Sequence, residues 1–126
     1  MKKILVIHPN LTLRDELTFV LQHSGFQVVG TMGAQQALDE TYRRRPDLIV
    51  MAEDIPKVNG DELCIRIREI SEAPIIILGQ DEEEAAGIDM LEMGADAYLP
   101  SPLNVRELLA RVRSLLRRIR GEFQEV

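Results

Sequence analysis

Glu53 and Asp54 follow directly on the run Leu48-Ile49-Val50-Met51-Ala52, and Pro56 and Gly60 then mark a turn. Carboxylates at the end of a buried strand are the groups that ligate a hard cation or act as a nucleophile. Chains that end a strand this way usually carry the reactive group at the last strand position. Here that position is Ala52, and a methyl does no such chemistry. Glu53 and Asp54 then read as solvated loop acids, with Asp54 the one able to point back toward the crevice. His8 follows a second apolar run, Ile4 to Ile7. Its imidazole is able to ligate a transition metal, but no partner stands at ligand spacing, so packing or a local hydrogen bond is expected. The acidic stretch 81–87 begins a helix, where acids complement the macrodipole. Cys64 is the single cysteine, which excludes an internal disulfide and a cysteine-based zinc site, and it reads as a small core residue. Neither metal nor cofactor is expected.

Strand and helix signals alternate along the whole chain. The short apolar runs 3–7, 26–29, 48–51, 74–78 and 97–99 are continuous rather than alternating, the mark of strands buried on both faces of a parallel sheet. Amphipathic segments lie between them. Leu13, Leu17, Val20 and Leu21 share one helical face, as do Ala34, Ala37, Leu38, Thr41 and Tyr42, and Leu63, Ile67 and Ile70. Ala86, Met90, Leu91 and Met93 repeat more weakly, with the two methionines read as core filler. Val105, Leu108, Leu109, Val112, Leu115, Leu116 and Ile119 form the clearest stripe, with Asn104 as N-cap and Glu107 three residues on. Five β-α units with right-handed crossovers predict an α/β, doubly wound, five-stranded parallel sheet with five helices. Sites in such sheets lie outside the carboxyl ends of the strands. The positions to watch are therefore His8-Pro9, Gly30, Ala52, Gly79 and Pro100-Ser101.

Composition bounds the function classes. The 126 residues suit one domain, and 45% hydrophobic with 29% charged residues describe a globular chain. Aromatics make up 4% and Trp is absent, so the core is aliphatic. Net charge is -6, which disfavours nucleic-acid binding by this domain itself, since phosphate contacts dominate that affinity. No run is long enough for a signal peptide or a membrane span, so a cytoplasmic domain is expected. "IHPNLT" (7–12) lacks the glycine-rich cradle that a phosphate-binding enzyme needs, and the chain is not expected to be an enzyme.

"RRRPDLIVM", "DIPKVNGDEL", "PIIIL", "EMGADAYL" and "RELLARVRSLLRR" match a known pattern in wording and spacing. By them the chain resembles the receiver domain of two-component response regulators, OmpR/PhoB-type, over residues 1–120. The resemblance implies the receiver, flavodoxin-like topology with strand order 2-1-3-4-5. Residues 121–126 would begin a linker, to a DNA-binding domain outside this chain. It also implies phosphoryl transfer from a histidine kinase to an aspartate, with Mg²⁺ held by acids after the first strand.

Position by position, that chemistry is missing. The acid positions are His8 and Pro9, the phosphoacceptor is Ala52, the hydroxyl position is Gly79 and the lysine position is Ser101. The resemblance therefore leads to a degenerate, non-phosphorylatable pocket, and a histidine kinase becomes a doubtful partner. The retained Pro102 implies the family's cis bond at Ser101-Pro102. Tyr98 stands where the family has a switch aromatic, which turns inward when the hydroxyl engages the phosphoryl group; without that drive it is expected as a half-buried strand residue whose hydroxyl reaches water. The family pairs through the fourth helix, fifth strand and fifth helix, so a homodimer is expected there. Asp96, Glu107, Arg111 and Arg118 occupy charged positions of that face, while Gly87 and Ala97 replace a usual base and acid. The function implied is an atypical receiver acting in signal transduction and transcription regulation without phosphorylation, reaching DNA only through a downstream domain. A free-standing protein-interaction adaptor and a small-ligand sensor are the alternatives.

Overall fold

The structure, a computed structural model, describes residues 1–80 and 91–119. Five parallel strands form the main sheet: β1 (Lys3–Ile7), β2 (Gln27–Thr31), β3 (Leu48–Ala52), β6 (Ile75–Leu78) and β7 (Ala97–Leu99), in the order β2-β1-β3-β6-β7. Counting only these strands, this is the 2-1-3-4-5 order expected. Two further strands, β4 (Asp54–Ile55) and β5 (Val58–Asn59), form a small antiparallel hairpin where only a turn was expected. Lys57 at its tip adopts a left-handed φ of 74°.

Four helices are described: α1 (Leu11–His23), α2 (Ala34–Arg44), α3 (Gly60–Arg68) and α4 (Val105–Ile119). The remaining helix expected, with Ala86, Gly87, Met90 and the acidic stretch 81–87, lies mostly outside the described residues, as does the linker at 121–126. Asn10 caps α1, its Oδ1 accepting from the Leu13 N–H at 3.0 Å. Asn104 caps α4 in the same way, accepting from the Glu107 N–H at 3.0 Å.

The continuous apolar strands have the burial that their pattern requires. β3 and β6 are buried at every position, because helices cover both faces. On one face, Ile4, Val6, Val50 and Ile76 meet Leu17 and Leu21 of α1 and Leu108 and Val112 of α4. On the other, Ile7, Ile49, Met51 and Ile77 meet Ala37 of α2 and Leu63, Cys64 and Ile67 of α3. Each buried Val, Leu, Ile or Met among these contributes about 1.5–3 kcal/mol on leaving water. Cys64 packs as the core residue expected, and burial pushes its thiol pKa up.

Some stripe residues are not buried. Leu13 and Val105 are exposed, since each sits in the first turn of its helix, where the helices overhang the sheet edge. Tyr42 lies in solvent beneath the Arg45 guanidinium, 5.9 Å from the ring centre. Ile70 falls beyond the end of α3. Met93 is 40% exposed and does not fill the core.

Register brings the strand ends to one edge. Ile7 pairs with Thr31 and with Met51, Ala52 pairs with Leu78, and Leu78 pairs with Leu99. The residues that follow, His8, Glu53, Gly79 and Pro100, therefore emerge side by side.

Candidate functional site

Ladder hydrogen bonds continue just past the strands and fix the crevice. The His8 N–H donates to Thr31 O at 2.9 Å, Glu53 N–H to Leu78 O at 2.9 Å and Gly79 N–H to Leu99 O at 2.8 Å. Of the positions expected at this edge, His8 and Gly79 are held there by backbone hydrogen bonds, and Glu53 beside Ala52 is held in the same way.

His8 is tied locally. Its Nδ1 accepts from the Asn10 N–H at 3.1 Å, which leaves the neutral ring's proton on Nε2. Its carbonyl accepts from Arg14 Nη1 at 2.8 Å. Burial, and then the Arg14 charge, push the ring's pKa below 6.5. Gly30 makes room for that arginine, since a Cβ there would come within 3.2 Å of Arg14 Cδ.

Ala52 is 6% exposed and its methyl belongs to the core. Ser101 donates its Oγ–H to Gly79 O at 2.7 Å. The Ser101–Pro102 peptide is cis, as the resemblance implied.

Glu53 is where the structure departs from the reading of a solvated loop acid. It is half-buried, and its Oε1 accepts from the Tyr98 hydroxyl at 2.9 Å and from the Gln80 N–H at 3.2 Å. Tyr98 thus turns over the crevice instead of sending its hydroxyl to water. Its ring fills the space above Gly79: an ideal Cβ there would lie 3.0 Å from Cε2 and closer still to Cζ and the hydroxyl. Asp54 remains exposed and accepts from Gln80 Nε2 at 3.1 Å.

A hard cation such as Mg²⁺ does not fit these residues. It needs several carboxylate or carbonyl oxygens, but Pro9 and Ala52 offer no side-chain ligand and Glu53 is occupied by two donors. Among the described residues, no group of three or more His, Cys, Asp or Glu is placed to hold a metal.

The crevice opens into a groove of about 1080 Å³ between α1 and the β7–α4 segment. Leu13, Leu17, Val20, Leu99, Leu103 and Leu108 form its apolar wall, with His8 and Ser101 at the mouth. Among the described residues, no Lys or Arg lines it, although a phosphoryl pocket needs cations.

The charged residues expected on the pairing face divide into two groups. Glu107, Arg111 and Arg118 lie exposed along α4, four and seven residues apart. Asp96, also exposed, is engaged within the protomer: its Oδ2 accepts from Arg68 Nη2 and from the Ile75 N–H, each at 2.8 Å. Glu53 and Arg68 are the residues that sequence reasoning missed. Arg68 has no local signal, but Glu53 had one, since a glycine beside an inward-capable tyrosine leaves room for a neighbouring acceptor. Among the described residues, no helix is long and apolar enough to cross a membrane.

Residues 4–113 match the family model described as the response regulator receiver domain. The chain is 36% identical over 118 residues to the alkaline phosphatase synthesis transcriptional regulatory protein PhoP of Bacillus subtilis, covering 93% of this chain and 49% of that protein. It therefore spans about half the length of that relative. A two-component response regulator from Clostridium difficile superposes with TM-score 0.90 at 28% identity, covering 94% of this chain and 98% of that one. A CheY-like receiver domain protein from Methanospirillum hungatei shares the fold at TM-score 0.90 and 23% identity, over 97% of this chain and 98% of that one. With its strand order and the site edge built from these strand ends, the chain belongs to the response regulator receiver domain family.

Proposed function

We propose that this receiver works without aspartyl phosphorylation, as a cytoplasmic regulatory and dimerisation module of an OmpR/PhoB-type regulator. The observation that carries this reading is the crevice itself. Its central position is the methyl of Ala52, and the polar groups around it are satisfied by each other: Ser101 by Gly79 O, Tyr98 and Gln80 by Glu53, and His8 by Asn10. A phosphoryl acceptor needs a free carboxylate, and its leaving charge needs cations nearby. The Ala52 position supplies no carboxylate, and among the described residues no Lys or Arg lines the crevice.

The downstream DNA-binding domain is supported by the Bacillus subtilis relative, which is named a transcriptional regulatory protein and is about twice as long as this chain. Homodimerisation would use the exposed charged strip of α4 together with β7. The direct test incubates the protein with Mg²⁺ and acetyl phosphate, and separately with beryllium fluoride. Unchanged mass and melting temperature are expected. A phospho-adduct, or Mg²⁺ stabilisation beyond that of an equal ionic strength of Na⁺, refutes the reading. The small-ligand sensor is the one alternative that an observation favours, because the apolar groove beside the crevice has the volume of a ligand site.

A further inference from the structure

We propose that Glu53 is a positioning residue that holds Tyr98 in its inward rotamer over Gly79. Two independent features meet at this point. The first is attraction: the phenol donates to a carboxylate oxygen 2.9 Å away, a charge-assisted bond stronger than one between neutral groups. The second is room. Gly79 is buried directly beneath the ring, and a Cβ there would collide with the tyrosine's Cζ and hydroxyl. A Cβ at position 79 would force the ring to shift from the position it holds here. Acid and glycine are thus complementary, one drawing Tyr98 in and the other leaving it space.

The carboxylate is itself fixed. Its backbone N–H is held by Leu78 O and its carbonyl by the Gly60 N–H, so Glu53 is anchored on both sides of its own Cα. The Gln80 N–H then orients the same Oε1 that Tyr98 uses. The acceptor is thus preorganised, and holding the tyrosine needs little further ordering. Tyr98 lies on β7, immediately before the segment that leads into α4. Fixing its ring fixes one state of the β7–α4 surface, which is the surface assigned above to pairing. The significance for signalling rests on the phosphorylation-independent reading; the geometry of the latch does not.

The test uses the whole 126-residue chain with Tyr42→Phe, which leaves Tyr98 as the single tyrosine in a protein without tryptophan. Tyrosine emission then reports Tyr98 alone, and its acrylamide quenching reports how far the ring is covered. Glu53→Ala is expected to raise the quenching constant about twofold or more, the result of losing a hydrogen bond that holds the rotamer. Glu53→Gln keeps an acceptor oxygen and is expected to stay near the parent. Gly79→Ser is expected to raise quenching as Glu53→Ala does, with far-UV circular dichroism showing both variants folded. Unchanged quenching in either folded variant overturns the latch. If Glu53→Ala does not fold, Gly79→Ser decides alone. A phospho-adduct from acetyl phosphate would sink the functional reading and leave these quenching results standing, so the two failures are distinguishable.

Discussion

Arg68, the last residue of α3, reaches across to Asp96 and closes a 2.8 Å ion pair just before β7 begins. The same guanidinium donates to Gly94 O from Nε at 3.1 Å and from Nη2 at 2.9 Å, while the same carboxylate accepts from the Ile75 N–H. Two side chains thereby tie the end of α3 to the starts of β6 and β7. The pair is only partly exposed, so it contributes more than a free surface pair.

Removing this carboxylate should destabilise the fold. Asp96→Ala leaves the Ile75 N–H without its acceptor and takes one acceptor from Arg68, which keeps Gly94 O. A cost of about 1.5–3 kcal/mol is expected, the scale of a hydrogen bond to a charged group. Asp96→Asn retains an oxygen and should cost less than half of that. Urea unfolding measures both, and an Asp96→Ala effect inside about 0.5 kcal/mol would contradict this assignment.

Restoring the missing aspartate should not restore chemistry. Ala52→Asp places a carboxylate at a position 6% exposed, beside Met51 and Ile77 and, among the described residues, with no Lys or Arg lining the crevice. The expected results are a lower melting temperature and no phosphoryl adduct after acetyl phosphate and Mg²⁺, read by intact mass. A buried polar group without partners costs about 1–3 kcal/mol on protein mutational scales. A stable adduct on this single variant would show that the remaining residues still form a working site.

His8 gives the protein a pH dependence with a defined sign. Its folded pKa lies below the 6.5 of a free imidazole, so between the two values the unfolded chain binds a proton that the folded chain does not. The corresponding stability is complete above 6.5 and is lost as pH falls from 6.5 toward the depressed folded value. His8→Asn keeps a side-chain acceptor for the Asn10 N–H but does not titrate. Its urea midpoint should fall less than the parent's on going from about pH 7.5 to about pH 5.5. Equal slopes for the two proteins would exclude the histidine as the source.

The sheet was legible because its signal is physical and local: runs such as Leu48 to Met51 and Ile75 to Leu78 have nowhere to go but a strand covered on both sides. The strand ends followed from topology, and so His8, Ala52, Gly79 and Ser101 could be placed at one edge from residue order alone. Contacts across the chain could not be read in this way. Glu53 looked like a loop acid because its partner, Tyr98, lies 45 residues away and two strands across the sheet. The ion pair of Asp96 could not be read either, because the Arg68 guanidinium that meets it is 28 residues distant. The β4–β5 hairpin escaped notice because two-residue strands carry no periodicity, only the turn residues Pro56 and Lys57 between them.

Self-association is the property on which the proposed function depends. Asp96 is already paired with Arg68 within its own protomer, and Glu107, Arg111 and Arg118 form an exposed charged strip on α4 for a two-fold contact. In a two-fold pairing a residue on one copy meets a complementary residue on the other, so Glu107 of each protomer can meet an arginine of its partner. Exposed pairs of this kind contribute roughly 0.2–1 kcal/mol each, too little to hold a dimer alone, so apolar contacts must supply most of the affinity. Sedimentation at micromolar concentration, with no phosphoryl donor present, should therefore show a dimer. Arg111→Glu sets two like charges against each other at each symmetric contact and should weaken the dimer several-fold, by about 1 kcal/mol or more over the two contacts. Raising the salt should weaken the parent dimer only modestly, because screening acts on the charged rim and not on the apolar centre. A strict monomer at these concentrations, or a dimer indifferent to Arg111→Glu, would remove this face of α4 from the mechanism.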